Sequence, residues 1–121
     1  MITLMSWGFK FSRPEANFSF DVSFLKNPWR EKEIRNENNK EFQSKLIKKF
    51  MEAQQETMEF ATNIVNMIMF LNTYFKDETI KIAICCSAGE YRSPAVCQIV
   101  SEMLEEIGVE HLLEQSEQSK L

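Results

Sequence analysis

Glycine and proline are scarce in this 121-residue chain, three of each, and only two of its 18 acidic residues, Asp21 and Asp77, are aspartate. With Glu as the common acid, helix should dominate, because Glu favours helix interiors whereas Asp favours caps and turns. Cysteine is also sparse: Cys85, Cys86 and Cys97 form an odd set without a CxxC pair. That argues against a disulfide framework and for a reducing compartment. A single histidine, His111, excludes a His-rich metal site, and no metal or cofactor is expected. Basic residues are outnumbered, 14 against 18, so a net charge of -4 provides no global field for nucleic acid or anionic lipid. The longest uncharged run, 60–75, carries Thr62, Asn63, Asn66, Asn72 and Thr73 and is too short and polar for a membrane span. Met1 to Phe11 lacks the pattern of a secretory signal. The chain therefore reads as soluble and cytoplasmic, with any anion site local.

What is present suits one small α/β domain over 1–113, followed by a polar tail, 114–121, expected to fray. Hydrophobic residues make up 44%, enough for a core. Aromatic and β-favouring residues from Ile2 predict a strand near 2–8, and the alternation of Phe18, Phe20 and Val22 with Ser19, Asp21 and Ser23 predicts another over 18–23. The charged stretch from Trp29 to Lys40 reads as a mobile loop. Between Glu41 and Lys76 there is neither Gly nor Pro, and the apolar spacing predicts one long helix, or two broken near 53–56. Ile80, Ile82, Ile84 and Cys86 alternate in a strand over 79–86 that should be central. Val96, Ile99, Val100, Met103, Leu104 and Ile107 then follow helical periodicity over 93–107, with Ser93 as N-cap and Pro94 at the first helical position. The expected fold is a small, open, mainly parallel sheet with flanking helices.

The segment Cys86-Ser87-Ala88-Gly89-Glu90-Tyr91-Arg92-Ser93 joins the clearest strand to the clearest helix. Unpaired N–H groups and the positive end of the dipole at a helix N-terminus favour phosphate. Gly89 lets the backbone curl, Arg92 offers a planar fork for phosphate oxygens, and Cys86 shares that positive field. The strand–loop–helix unit is thus an expected anion site, for phosphate, sulfate or a phosphorylated metabolite. Asp21, at the carboxyl end of its strand, either caps a turn or takes part in function.

Cys86 and Arg92, with five residues between them and followed by Ser93, resemble the C-x5-R-S loop of protein tyrosine phosphatases, closest to the dual-specificity group. The resemblance implies Cys86 as nucleophile, Arg92 as phosphoryl clamp and Ser93 as partner of the thiolate, with Asp21 the sole candidate acid. Cys85 stands where that family has His, and the interval that carries its acid is helical here. More of the chain is similar to the C-terminal domain of the RapZ family of RNase adapter proteins: Ser6-Trp7-Gly8-Phe9-Lys10-Phe11, Pro14, Phe20-Asp21-Val22, Phe24-Leu25-x-Asn27-Pro28, Ile82-Ala83-Ile84-x-Cys86 and Arg92-Ser93 agree in order and spacing. That resemblance implies a domain binding an amino-sugar phosphate, with Lys10, Asn27 and Arg35 as secondary contacts. The family's N-terminal P-loop domain has no counterpart in these residues, and within the domain its DVR reads Asp21-Val22-Ser23 and its GG-x-H-R reads Ala88-Gly89-Glu90-Tyr91-Arg92. The resemblance links the chain to RNA, whereas its charge argues against RNA.

Three functions follow as expectations. The leading one is binding of a phosphorylated metabolite by a regulatory or adapter domain, the second a cysteine-dependent phosphatase, and the third a protein-interaction module with a structural anion. A protein partner and a second copy of the chain stay open as partners. Cys85 and Cys97 read as core residues without chemistry, and His111 as exposed.

Overall fold

The computed structural model describes residues 1–121. Four strands, β1 (Ile2–Gly8), β2 (Phe18–Asp21), β3 (Ile80–Cys86) and β4 (His111–Glu114), pair in parallel in the order β2-β3-β1-β4. Four helices accompany them: α1 (Lys32–Arg35), α2 (Lys40–Glu52), α3 (Gln55–Tyr74) and α4 (Arg92–Glu106). The expected mainly parallel α/β sheet is therefore what forms, with β3 in the interior.

Strand alternation decides which side the helices cover. Ile2 and Leu4 of β1 and Ile80, Ile82, Ile84 and Cys86 of β3 face Ile47, Met51, Ile64, Ile68, Val96, Val100 and Leu104 in one core. The intervening residues Met5, Ala83 and Cys85 face the other way, against Trp7 and Ala16. That second face is crossed by residues 9–17, where the Trp7 indole donates to the Ser12 carbonyl at 2.8 Å. After β1 the chain thus passes over one face, and after β3 it enters a helix on the other. At the carboxyl ends of β2 and β3, Asn27 after the first strand and residues 86–92 after the second line a crevice, at the end of the sheet where parallel α/β folds take ligands.

Of the two readings of 41–76, two helices form, and the break between α2 and α3 falls at Ala53 and Gln54, each a cap residue, within the expected interval. Several other local expectations are corrected. The supposed mobile loop is instead structured: Asn27 caps a 3-10 turn, Pro28–Arg30, and α1 follows, pinned by the buried Ile34. Ser93 is not the N-cap of α4; Tyr91 occupies that place, and Ser93 lies within the first turn. β4 is an additional strand, and the segment expected to fray is anchored: Gln115 Nε2 donates to the Pro94 carbonyl at 3.0 Å and Lys120 N to the Glu90 carbonyl at 2.8 Å. His111 is not free in solvent either, because its ring meets Ser101 Oγ at 2.6 Å and the Val109 carbonyl at 2.9 Å. No helix is long and apolar enough to cross a membrane.

Candidate phosphate-binding site

β3 delivers Cys86 to the crevice and α4 begins six residues later, so residues 87–91 must turn within a short span. Gly89 makes the turn possible with φ of 70°, a left-handed conformation that L side chains rarely adopt. It also packs against Gly8: a Cβ on Gly89 would lie 2.9 Å from Gly8 N, and one on Gly8 would lie 2.6 Å from the Ala88 carbonyl carbon. Two glycines thus let the end of β1 support the loop from behind. Phe9 N and Lys10 N extend that support by donating to the carbonyls of Cys86 and Ser87 at 3.0 and 2.8 Å.

Inside the loop, Cys86 Sγ lies 3.1 Å from Ser93 Oγ and receives the Ser93 N–H at 3.4 Å. Ser93 Oγ in turn donates to the Trp7 carbonyl at 3.3 Å. A protonated Cys86 fits this chain by donating to Ser93; a thiolate would instead accept from the Ser93 hydroxyl and amide. Ser93, displaced from the cap, is thus a partner of the sulfur.

Arg92 is half-buried at the start of α4. Its NH1 group donates to the Ser23 carbonyl at 2.6 Å and the Leu25 carbonyl at 3.3 Å, while NH2 reaches Ser87 Oγ at 3.5 Å. One side of the guanidinium therefore fastens the segment after β2, and the other borders the loop. Cys86, Ser87, Ala88, Glu90, Tyr91 and Arg92, together with Asn27, line a small recess there. Tyr91 is buried against Trp29, with ring centroids 5.7 Å apart, and burial followed by the Glu90 charge raises its phenol pKa.

The remaining candidates divide. Asn27 borders the recess, its side chain accepting from Trp29 N at 3.1 Å. Lys10 adjoins the loop through its backbone, with its side chain exposed. Arg35 does not close over the loop: it donates to the Trp29 carbonyl at 2.9 Å and stacks over that indole at 5.7 Å. Asp21 and Cys86 are not brought together. Asp21 is in register with Cys85, on the face opposite Cys86, and its carboxylate accepts from Ser23 N at 2.9 Å. Cys85 is fully buried, and burial, then Asp21, then Cys86, raises its thiol from 9.0 to about 11. Cys97, also fully buried, has its pKa raised well above 9.0, chiefly by burial. Lys26 and Arg30 escaped sequence reasoning as site residues; they line a second cleft beside Arg92. Their proximity comes from the fold of residues 22–30 and leaves no local sequence signature.

A parallel sheet, a glycine-curled loop after the interior strand and an arginine at the following helix define a small α/β domain with a strand–loop–helix unit at the carboxyl end of its sheet. Comparison with known proteins specifies it further: the model of the RapZ C-terminal domain matches residues 1–119, and the chain belongs to that family. A protein of Caldicellulosiruptor saccharolyticus named a nucleotide-binding protein is 32% identical over 112 residues, covering 89% of this chain and 37% of the relative. Nucleotide-binding proteins of Thermodesulfovibrio yellowstonii and Ruminiclostridium cellulolyticum are each 33% identical, over 112 and 110 residues, covering 89% and 88% of this chain and 38% and 37% of the relatives. The chain spans little more than a third of these relatives.

Proposed function

We propose that this domain binds a small phosphorylated metabolite, of the sugar-phosphate class, and acts as a regulatory module through the occupancy of that site. The observation that carries the reading is the loop between β3 and α4, folded by Gly89 at the first turn of a 15-residue helix with Arg92 beside it. Helix-terminal N–H groups and a guanidinium together attract a dianion. Glu90 in the wall of the recess suits a ligand with amine or hydroxyl donors next to its phosphate, since a bare anion there meets repulsion. The names of the relatives speak of nucleotide binding, and a nucleotide shares the phosphate chemistry; that activity belongs to proteins nearly three times as long.

A cysteine-dependent phosphatase is the second reading, favoured by the Cys86–Ser93 contact of 3.1 Å. It requires Cys86 to attack phosphorus, Arg92 to hold the equatorial oxygens and an acid to protonate the leaving group. Asp21 faces Ser23 and does not supply that acid.

One paired measurement tests both. Titration with inorganic phosphate should raise the melting temperature of wild type and of Cys86→Ser alike, and neither should hydrolyse an aryl phosphate between about pH 5 and 8. Arg92→Lys, which keeps the charge but loses the fork, should weaken phosphate binding by about tenfold. Turnover present in wild type and absent from Cys86→Ser would establish the phosphatase instead. No thermal response to phosphate in either protein would overturn the binding reading.

A further inference from the structure

The recess at the loop opens beside a second cleft of about 310 Å³, and Asn27 and Arg92 line both. Lys26 and Arg30 also line the second cleft, and no acidic side chain does. In a chain with 18 acids and 14 bases this is a local reversal of sign. Neither cation is engaged by a carboxylate, because the molecule's one ion pair joins Lys48 to Glu102.

The walls are held from several sides. Gln54, between α2 and α3, accepts the Lys26 N–H at 3.0 Å and returns a bond to the Lys26 carbonyl at 3.4 Å. Arg92 NH1 holds the carbonyls of Ser23 and Leu25 from below. The Asn27 cap and the buried Pro28 fix the 3-10 turn that presents Arg30. Much of the ordering cost of binding is therefore met before a ligand arrives.

We propose that the ligand carries two anionic groups: a phosphate in the loop 86–93, and a second acidic group, carboxylate or phosphate, in the cleft of Lys26 and Arg30. This rests on the phosphate-binding reading and adds the chemical class of the ligand's other end. Arg92 lines both: its NH2 group borders the loop at Ser87, while NH1 is committed to the Ser23 and Leu25 carbonyls, so it acts on the cleft through its charge and leaves donation there to Lys26 and Arg30. The Lys26 and Arg30 heads are exposed, which makes their contribution sensitive to salt. A mononucleotide or a sugar monophosphate offers one anionic end and leaves these two cations idle.

Calorimetric titration of the full chain with matched probes decides it. Inorganic phosphate gives the single-anion baseline, and its retention or loss in the double variant below assigns it to the loop or to the cleft. Glycerol 3-phosphate against 3-phosphoglycerate, and fructose 6-phosphate against fructose 1,6-bisphosphate, each add a second anion, over a short and a longer span. At least one doubly anionic probe should bind about tenfold more tightly than its partner at low salt, the gap shrinking as salt rises. In the Lys26→Met/Arg30→Met variant that advantage should vanish while phosphate affinity stays as in wild type. Phosphate binding with no advantage in either pair, or an advantage that survives the double substitution, would overturn the second-anion site and leave the loop reading intact. Absence of phosphate binding in wild type would remove both.

Discussion

Gly8 and Gly89 touch back to back, and this contact, more than any single polar bond, sets the shape of the loop. Gly89 and Gly108 have nearly equal positive φ, 70° and 74°, but a Cβ on Gly108 meets nothing within 4 Å, whereas one on Gly89 meets backbone. Gly108→Ala should therefore cost only the left-handed strain, about 1 kcal/mol. Gly89→Ala adds a backbone collision and should cost at least about 3 kcal/mol, with weaker phosphate binding besides. Urea denaturation of the two variants side by side measures the difference, and equal losses would mean that the loop relaxes away from β1. The buried Cys85 gives a second residue-scale expectation. Its thiol titrates near 9.0 when unfolded and at about 11 when folded, so the native state holds the proton more tightly between those values. The associated stability is fully present below pH 9 and is lost as the pH rises through 11. At pH 10 the loss from this group is about 1 kcal/mol, and Cys85→Ala should flatten the fall in urea midpoint between pH 8 and 10. An unchanged slope would show that the group titrates in place without a penalty.

Elements were legible where their pattern was long. β3 announced itself through Ile80, Ile82 and Ile84 because one face of an interior strand must be apolar, and α4 through Val96, Val100 and Leu104 because one stripe must face that sheet. The helix break was legible only as one of two alternatives for 41–76, and at that break Gln54 accepts the Lys26 N–H across the molecule. The short elements were not legible. β4 has four residues with Leu112 exposed, and its existence depends on pairing with β1, a contact no local window contains. α1 was hidden by charge: one buried side chain, Ile34, anchors it, too few for periodicity to register. At the candidate site Cys86, Arg92 and Gly89 followed from spacing alone. Ser93 carried two readings, a helix cap from Ser before Pro and a partner of the sulfur from the phosphatase resemblance; the fold discards the first and sets its Oγ 3.1 Å from Cys86 Sγ. The position of Asp21 turned on strand parity: one residue of register places it beside Cys85 and away from Cys86.

Across the whole molecule, the C-terminal segment closes a circuit that joins the sheet, the last helix and the loop. Ser6, in the middle of β1, donates to Gln115 at 2.6 Å and accepts from Ser116 N at 2.8 Å. Gln115 reaches the Pro94 carbonyl in the first turn of α4, and Ser116 Oγ donates to the Gly89 carbonyl. Lys120 N then bonds to the Glu90 carbonyl, and Leu121 packs against the main core. Two of the loop's carbonyls, those of Gly89 and Glu90, are thus held by the C-terminal segment, while those of Cys86 and Ser87 are held by Phe9 and Lys10. A chain ending at Glu114 keeps β4 but loses every tie made by residues 115–121. It should retain its helical circular dichroism, melt at least about 5 °C lower and bind inorganic phosphate about tenfold more weakly. Ser116→Ala, which removes only the bond to Gly89, should cost about 1 kcal/mol and weaken phosphate in the same direction. If the shortened chain lost stability yet bound phosphate as wild type does, the segment would be a prop for the fold alone, and the loop would owe its shape to Gly8, Gly89 and Arg92 without help from the far end of the chain.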